Sequence, residues 1–252
     1  MRILCFVSLV AGCLLAVGGL VRADDQADMR ALVDKAVQAA GGKAKVAKLA
    51  AVTWKAKGTL NIKDQKISLN IDSSWQGLDQ CKLDLQAEVM NRTESALIVF
   101  NKGKGWLKVR DRTMEAPKEF RTLLLPDLYA LRLAQTLLPL KDKACKLSPL
   151  GELKIGDRDT VGIKAIRKGY PDVDIFFDKK TMLPVKCQLT FKDTTNGQEV
   201  GHEFLLDGHQ KTDGLWHFTK LTFLRDGIEH LKTELSEVQG QEKLDGSTFD
   251  KP

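Results

Sequence analysis

Residues 52–62 read Val-Thr-Trp-Lys-Ala-Lys-Gly-Thr-Leu-Asn-Ile. Val52, Trp54, Ala56, Gly58, Leu60 and Ile62 alternate with Thr53, Lys55, Lys57, Thr59 and Asn61. A period of two places the first set on one side of an extended chain and the second on the other, which predicts a half-buried strand. The same alternation recurs in Ile67, Leu69 and Ile71, and again in Cys81, Leu83, Leu85, Ala87 and Val89. Lys63-Asp64-Gln65 and Gly77-Leu78-Asp79 separate these runs. Connections this short join antiparallel neighbours, so the three runs form a meander.

Further strands are expected at 94–101 and 104–112, about Gly103-Lys104-Gly105. Past the middle of the chain they resume at 146–155, 159–168, 172–178, 184–191, 199–207, 215–225 and 228–239. Asn196-Gly197, Asp213-Gly214 and Asp226-Gly227 are hairpin turn signals. The total is eleven or twelve strands. A sheet this long curls into a full or partial barrel, too wide for its own side chains to fill unless a helix enters it. The fold class is mainly β (α+β), one curved antiparallel sheet enclosing an apolar hollow.

Two segments break the alternation. In 26–50, Met29, Leu32, Val33, Ala36, Val37 and Ala40 recur at three and four residues. That is one buried face of a helix, stopped at Gly41-Gly42, with a short second helix at 43–50. Residues 117–139 carry Phe120, Leu123, Leu124, Leu125, Leu128, Leu131, Leu133, Leu137 and Leu138 at helical spacing. Pro126 is expected to open a second helix there, where its missing N–H is harmless. This insert reads either as ordinary core or as a plug or lid over the hollow.

The chain has 252 residues and a net charge of +6. Ile3 to Val21 carry no charge, between Met1-Arg2 and Arg22-Ala23-Asp24-Asp25. This is the layout of a secretory signal peptide over residues 1–23, cleaved after Ala23, leaving 24–252 as one domain. Val10-Ala11-Gly12-Cys13 also matches a bacterial lipobox, which would lipidate Cys13, and an uncleaved anchor is a third reading. Each makes the remainder an exported protein. Its lysines fall mostly on the polar phases of strands, with no basic stripe interleaved with aromatics, so nucleic acid is not an expected partner. Cys81, Cys145 and Cys187 follow the leader. Export allows two of them to pair, whereas the apolar phases of Cys81 and Cys187 suit small buried hydrophobes.

Catalytic signatures are lacking. There is no Gly-x-Ser-x-Gly elbow and no phosphate loop, and His202-Glu203 has no second histidine at 206. His202, His217 and His230 were the remaining metal candidates on neighbouring strands. With His217 facing Leu205, His202 facing Lys220 and His230 facing Phe223, at roughly 3.3 Å per residue, His217 and His230 lie about 20 Å apart, too far for one ion. Asp172 and Asp174 share a solvent phase, and Asn91-Arg92-Thr93 is a short glycosylation match. No cofactor is implied.

The order of elements resembles the periplasmic lipoprotein-carrier family, the LolA/LolB-like outer-membrane lipoprotein-sorting proteins. Three segments carry the resemblance: Glu94–Val99 followed by Lys102-Gly103-Lys104-Gly105-Trp106-Leu107; Phe177-Asp178-Lys179-Lys180-Thr181-Met182-Leu183-Pro184-Val185-Lys186; and the tail Leu244–Pro252. The resemblance implies an incomplete barrel that holds lipoprotein acyl chains under helices acting as a lid. Carriers of this family have an arginine-proline pair after the second strand, the arginine contributing to lid control. Here the stretch is Trp75-Gln76-Gly77-Leu78-Asp79-Gln80, with neither residue.

The expected function is therefore an exported, non-catalytic binder of lipid or lipoprotein acyl chains, with a membrane surface or an envelope protein as further partner. The inner-face candidates are Trp54, Leu60, Ile62, Leu69, Ile71, Leu83 and Leu85, and the lid candidates Leu124, Leu128, Leu131 and Leu138. Two alternatives stay open: an envelope-sensing or protein-interaction module on the same fold, and a lipid or glycan enzyme, for which the inward phases offer His202, His217 and Thr219.

Overall fold

The computed structural model describes residues 23–62, 65–90, 92–193 and 197–252. Residues 1–22 of the leader, Cys13 among them, lie outside them, as do Lys63 and Asp64, Asn91 of the glycosylation match and Asn196 of the turn signal. Helix α1 (Ala23–Ala39) buries Val33, Ala36 and Val37 and packs on strand β7 (Cys145–Ile155). Gly41 ends this segment with φ 128°, and a Cβ there would stand 2.5 Å from the Gly214 carbonyl oxygen, so the close approach requires glycine. A short helix α2 (Lys43–Val46) and one 3₁₀ turn follow.

The meander appears as β1 (Ala51–Ile62), β2 (Gln65–Gln76), β3 (Gln80–Val89) and β4 (Arg92–Asn101), all antiparallel. The single strand expected at 104–112 is instead a hairpin, β5 (Lys104–Val109) and β6 (Arg112–Glu115). Arg110 takes φ 55° at the reversal, a left-handed position that arginine rarely signals. Helix α3 (Lys118–Thr136) is likewise one element with Pro126 inside it, not two helices. Pro126 and the exposed Leu125 lie on its outer side, where water can satisfy the carbonyl that proline leaves free. The next two turns bury Leu128, Tyr129, Ala130, Leu133 and Ala134, which offsets the lost bond.

Beyond α3 the chain lays down β7, β8 (Arg158–Arg167), β9 (Val173–Asp178), β10 (Pro184–Lys192) and β11 (Glu199–Asp207). At the β9–β10 reversal the Asp178 carboxylate accepts the N–H groups of Lys180 and Thr181, both at 2.8 Å. The Phe177–Lys186 motif is thus a turn built by its aspartate. The strand expected at 215–225 is broken. Residues 208–219 fold out as a small hairpin, β12 (Gln210–Thr212) with β13 (Leu215–His217), before β14 (Lys220–Arg225) rejoins the sheet. The excursion changes the register: His202 opposes Arg225 rather than Lys220, and Leu205 opposes Thr222 rather than His217. The last strand, β15 (Ile228–Gln241), pairs with both β14 and β1.

One thirteen-stranded antiparallel sheet results, in the order β6-β5-β4-β3-β2-β1-β15-β14-β11-β10-β9-β8-β7, with the β12–β13 pair apart from it. The thirteenth strand arises because the run expected at 104–112 is divided into β5 and β6, whereas the break in 215–225 puts β13 in the separate pair. The edge strands β6 and β7 do not pair with each other, so the barrel is incomplete, and α3 is the segment that connects them. The tail docks back on the sheet: Phe249 is buried, and the Asn101 side chain donates to its carbonyl at 3.0 Å. Cys81, Cys145 and Cys187 are free and buried, which for Cys81 and Cys187 is what the reading of small buried hydrophobes expects. Among the described residues no helix is long and apolar enough to cross a membrane.

Candidate functional site

The inner face of β1 carries Ala56 and Gly58 between Trp54 and Leu60. A Cβ at Gly58 would stand 2.1 Å from the Lys232 carbonyl oxygen, so glycine is what lets β15 lie this close. Beside this close contact α3 does not fill the concave side completely. The outcome is an apolar hollow of about 250 Å³ between helix and sheet.

Its wall is formed by Trp54, Leu60, Ile71, Trp75 and Leu83 from the first half of the sheet, and by Phe204, Phe218, Leu221, Phe223, Leu231, Thr233 and Leu235 from the second. Leu124, Asp127, Leu128, Leu131 and Gln135 of α3 form the roof. Of the residues singled out from the sequence, Trp54, Leu60, Ile71, Leu83, Leu124, Leu128 and Leu131 therefore meet around one space. Leu69 is buried in the adjoining core, Leu85 and Leu138 pack against that core half-buried, and Ile62 is 47% exposed at the end of β1. The wall residues from β11, β14 and β15 were missed. Their alternation was visible, but the hairpin at 208–219 hid which of them reach the hollow.

Two polar devices hold the roof. Arg132 of α3 is 2% exposed. Its Nε donates to the Gly77 carbonyl at 3.0 Å, its Nη2 to the carbonyls of Leu49 at 2.8 Å and Ala50 at 3.2 Å, and its Nη1 to Gln135 at 2.7 Å. The guanidinium also lies over the Trp75 ring, 5.9 Å from its centre. Burial lowers its pKa to about 10. The stretch 75–80, which lacks the carriers' arginine-proline pair, thus meets an arginine supplied by the helix.

The second device is Asp127 of α3 with His202 of β11. Asp127 Oδ1 and His202 Nδ1 are 2.7 Å apart and both residues are buried. Burial pushes the Asp127 carboxyl upward, while the His202 hydrogen bond and charge, and the more distant Arg225, pull it down; the net direction is up. The His202 ring is held edge-on by Phe191 and Phe223, each 4.9 Å away between ring centres. Its Nε2 is buried without a partner. An aspartate-histidine couple needs a hydroxyl or thiol on that nitrogen to act as a nucleophile-activating base, and none bonds to it.

The buried Cys81 and Cys187 thiols are pushed up by desolvation, which keeps them protonated and unreactive. His217 sits in the small hairpin opposite Gln210, away from the hollow. Among the described residues no three histidine, cysteine or acidic side chains are grouped as metal ligands. Asp174 is bound to Lys164 at 2.7 Å, a strand-to-strand ion pair with no acid partner in it.

No family model matches the chain, and no curated protein matches it. Solved structures do match in fold. A DUF1329 family protein from Desulfovibrio piger is similar with a TM-score of 0.56 at 12% identity, over 88% of this chain and 96% of that one. A LolA superfamily protein from Nitrosomonas europaea gives 0.52 at 12% identity, over 82% and 95%. An outer membrane lipoprotein-sorting protein domain from Vibrio parahaemolyticus gives 0.51 at 12% identity, over 87% and 97%. Open antiparallel sheet, connecting helix and these likenesses agree: the chain has a LolA-like fold, an incomplete β-barrel with a helical insert.

Proposed function

We propose that this is an exported, non-catalytic carrier-like protein that holds an apolar guest, a lipid or lipoprotein acyl chain, in the hollow under α3. The observation that carries the reading is the greasy space itself: a wall of leucines and aromatics, enclosed by an unfinished barrel and roofed by a helix. Acyl methylenes gain about 0.8 kcal/mol each on leaving water, so a chain of some 14 carbons offers roughly 11 kcal/mol as an upper bound. The present volume of about 250 Å³ falls just under the ~300 Å³ at which ligand pockets usually begin. A whole chain therefore enters only as α3 moves, and part of the binding energy offsets that opening. The net affinity is correspondingly modest, which suits a protein that must also release its guest.

The fold likeness to lipoprotein-sorting structures supports this reading without naming the guest. The uncharged run Ile3 to Val21, ahead of Arg22-Ala23-Asp24-Asp25, supports a leader of residues 1–23 and a periplasmic or secreted mature protein. Mass analysis of the mature N-terminus separates this from lipidation at Cys13, which adds acyl mass and retains residues 14–23. A second reading, an envelope-sensing or protein-interaction module, draws on Ile62, Met90 and Ile228, exposed at the ends of neighbouring hairpins.

Native mass spectrometry of protein purified from an envelope fraction tests the proposal. Lipid adducts are expected on the wild type and are lost in Leu60→Asp and Leu83→Asp variants that remain folded. A ligand-free wild type with an unchanged spectrum in both variants refutes the carrier reading and leaves the interaction module.

A further inference from the structure

Among the described residues Asp127 is the one acid in the wall of the hollow. It stands on α3 among Leu124, Leu128 and Leu131, where a fourth leucine would complete an apolar face. A buried acceptor in such a wall is unfavourable unless something donates to it. His202 occupies Oδ1, and among the described residues no other hydrogen bond reaches the carboxylate. Arg225, the cation opposite His202 on β14, is instead turned to Asp193, at 3.3 Å. Among the described residues the buried Nε2 of His202 has no partner either, although His202 itself is not in the wall of the hollow. A pair serving only to pin helix to sheet would be expected to be satisfied within the protein, and here Asp127 lines the hollow with one carboxylate oxygen that no described residue reaches.

Resting on the carrier reading above, we infer that the hollow selects a single-chain amphiphile whose polar end donates a hydrogen bond, an alcohol or a protonated amine, with Asp127 as the acceptor that reads it. His202 is a positioning residue: it fixes one carboxylate oxygen and so aims the other. A guest ending in an ester offers only acceptors and leaves Asp127 dehydrated and unpaired. A free carboxylate adds like-charge repulsion. Missing a donor to a buried acceptor corresponds to about tenfold or more in affinity.

The test is displacement of an environment-sensitive naphthalene sulfonate dye from the protein by four compounds of equal chain length: 1-decanol, decylamine, methyl decanoate and decanoate. For the wild type, 1-decanol and decylamine are expected to displace the dye at concentrations at least about tenfold below the other two. Asp127→Asn keeps size and an acceptor oxygen but adds an amide donor. It is expected to erase the advantage of the amine and to bring the ester level with the alcohol. The wild-type ranking stands as a test even if the variant folds poorly.

Equal displacement by all four compounds, or decanoate in the lead, overturns the inference about the polar end and leaves the apolar site standing. If no compound displaces the dye and Leu60→Asp does not change its signal, the hollow is not a binding site, and both readings fall together.

Discussion

Arg132 is the side chain on which the position of the roof most depends. Its three carbonyl acceptors lie at the 3₁₀ turn before β1 and at the β2–β3 reversal. The Gly77 N–H already donates to the Ala50 carbonyl at 2.9 Å, and Arg132 ties α3 to both points at once. Arg132→Leu keeps the apolar stem but takes the side-chain donor from the Leu49 and Gly77 carbonyls, while Ala50 keeps the Gly77 N–H; the cost is about 1–3 kcal/mol for each carbonyl cut off from water. We expect a loss of roughly 2–4 kcal/mol in urea denaturation. Arg132→Lys should recover less than half of it, since an ammonium cannot reproduce the fork. Wild-type stability in Arg132→Leu would show that α3 is held by packing alone. Asp127 and His202 operate at the same scale, and their pairing joins residues 75 positions apart in sequence. The acid was visible inside a leucine-rich helical face, and the histidine on an inward strand phase. Nothing in either local pattern said that they meet.

At the scale of elements, α3 departs most from expectation. A proline in the body of a helix removes one backbone bond and crowds the carbonyl four residues back, at about 3 kcal/mol in an isolated helix. Here α3 continues through it because the following turns are paid for by burial against the sheet. Pro126→Ala restores the missing donor on the outer side without touching the hollow. We expect thermal unfolding to shift upward, by about 1–3 kcal/mol in stability, and a stiffer roof to slow uptake of an apolar dye. A variant no more stable than wild type would mean that Thr122 already has a full substitute for the lost bond. The same contrast explains the strands. β1 and β2 were legible from alternation alone, because one face of each is buried and the other wet. The β5–β6 and β12–β13 hairpins were not, because Arg110-Asp111 reverses the chain without the glycine, proline or asparagine that usually marks a turn, and because Phe218 and Thr219 look like strand residues.

For the whole molecule, acid sensitivity follows from two half-buried histidines. Burial lowers the pKa of both His209 and His217 below the reference value of 6.5. The unfolded chain then binds protons at a higher pH than the native one, so their contribution is fully present above pH 6.5 and is lost as pH falls below it. Asp127, whose carboxyl is raised, acts with the opposite sign: its protonation favours the native state as pH drops. Urea midpoints should decline from pH 7 to pH 5, and the His209→Gln, His217→Gln double variant should flatten that slope. An unchanged slope in the double variant would assign the acid sensitivity to other groups.

The amino-acid sequence by itself determined that the chain forms a long antiparallel meander with a helix before it and an apolar helix within it. Alternation and helical spacing are local patterns, and burying one face is a demand each segment makes alone. Only the tertiary structure decided that the sheet stays open between β6 and β7, that α3 connects those edges, and that Asp127 and His202 meet beside a hollow. Those outcomes depend on strand register and on how well a helix fills a curved surface. Both are settled by the simultaneous packing of side chains far apart in sequence, and no single stretch of chain encodes them.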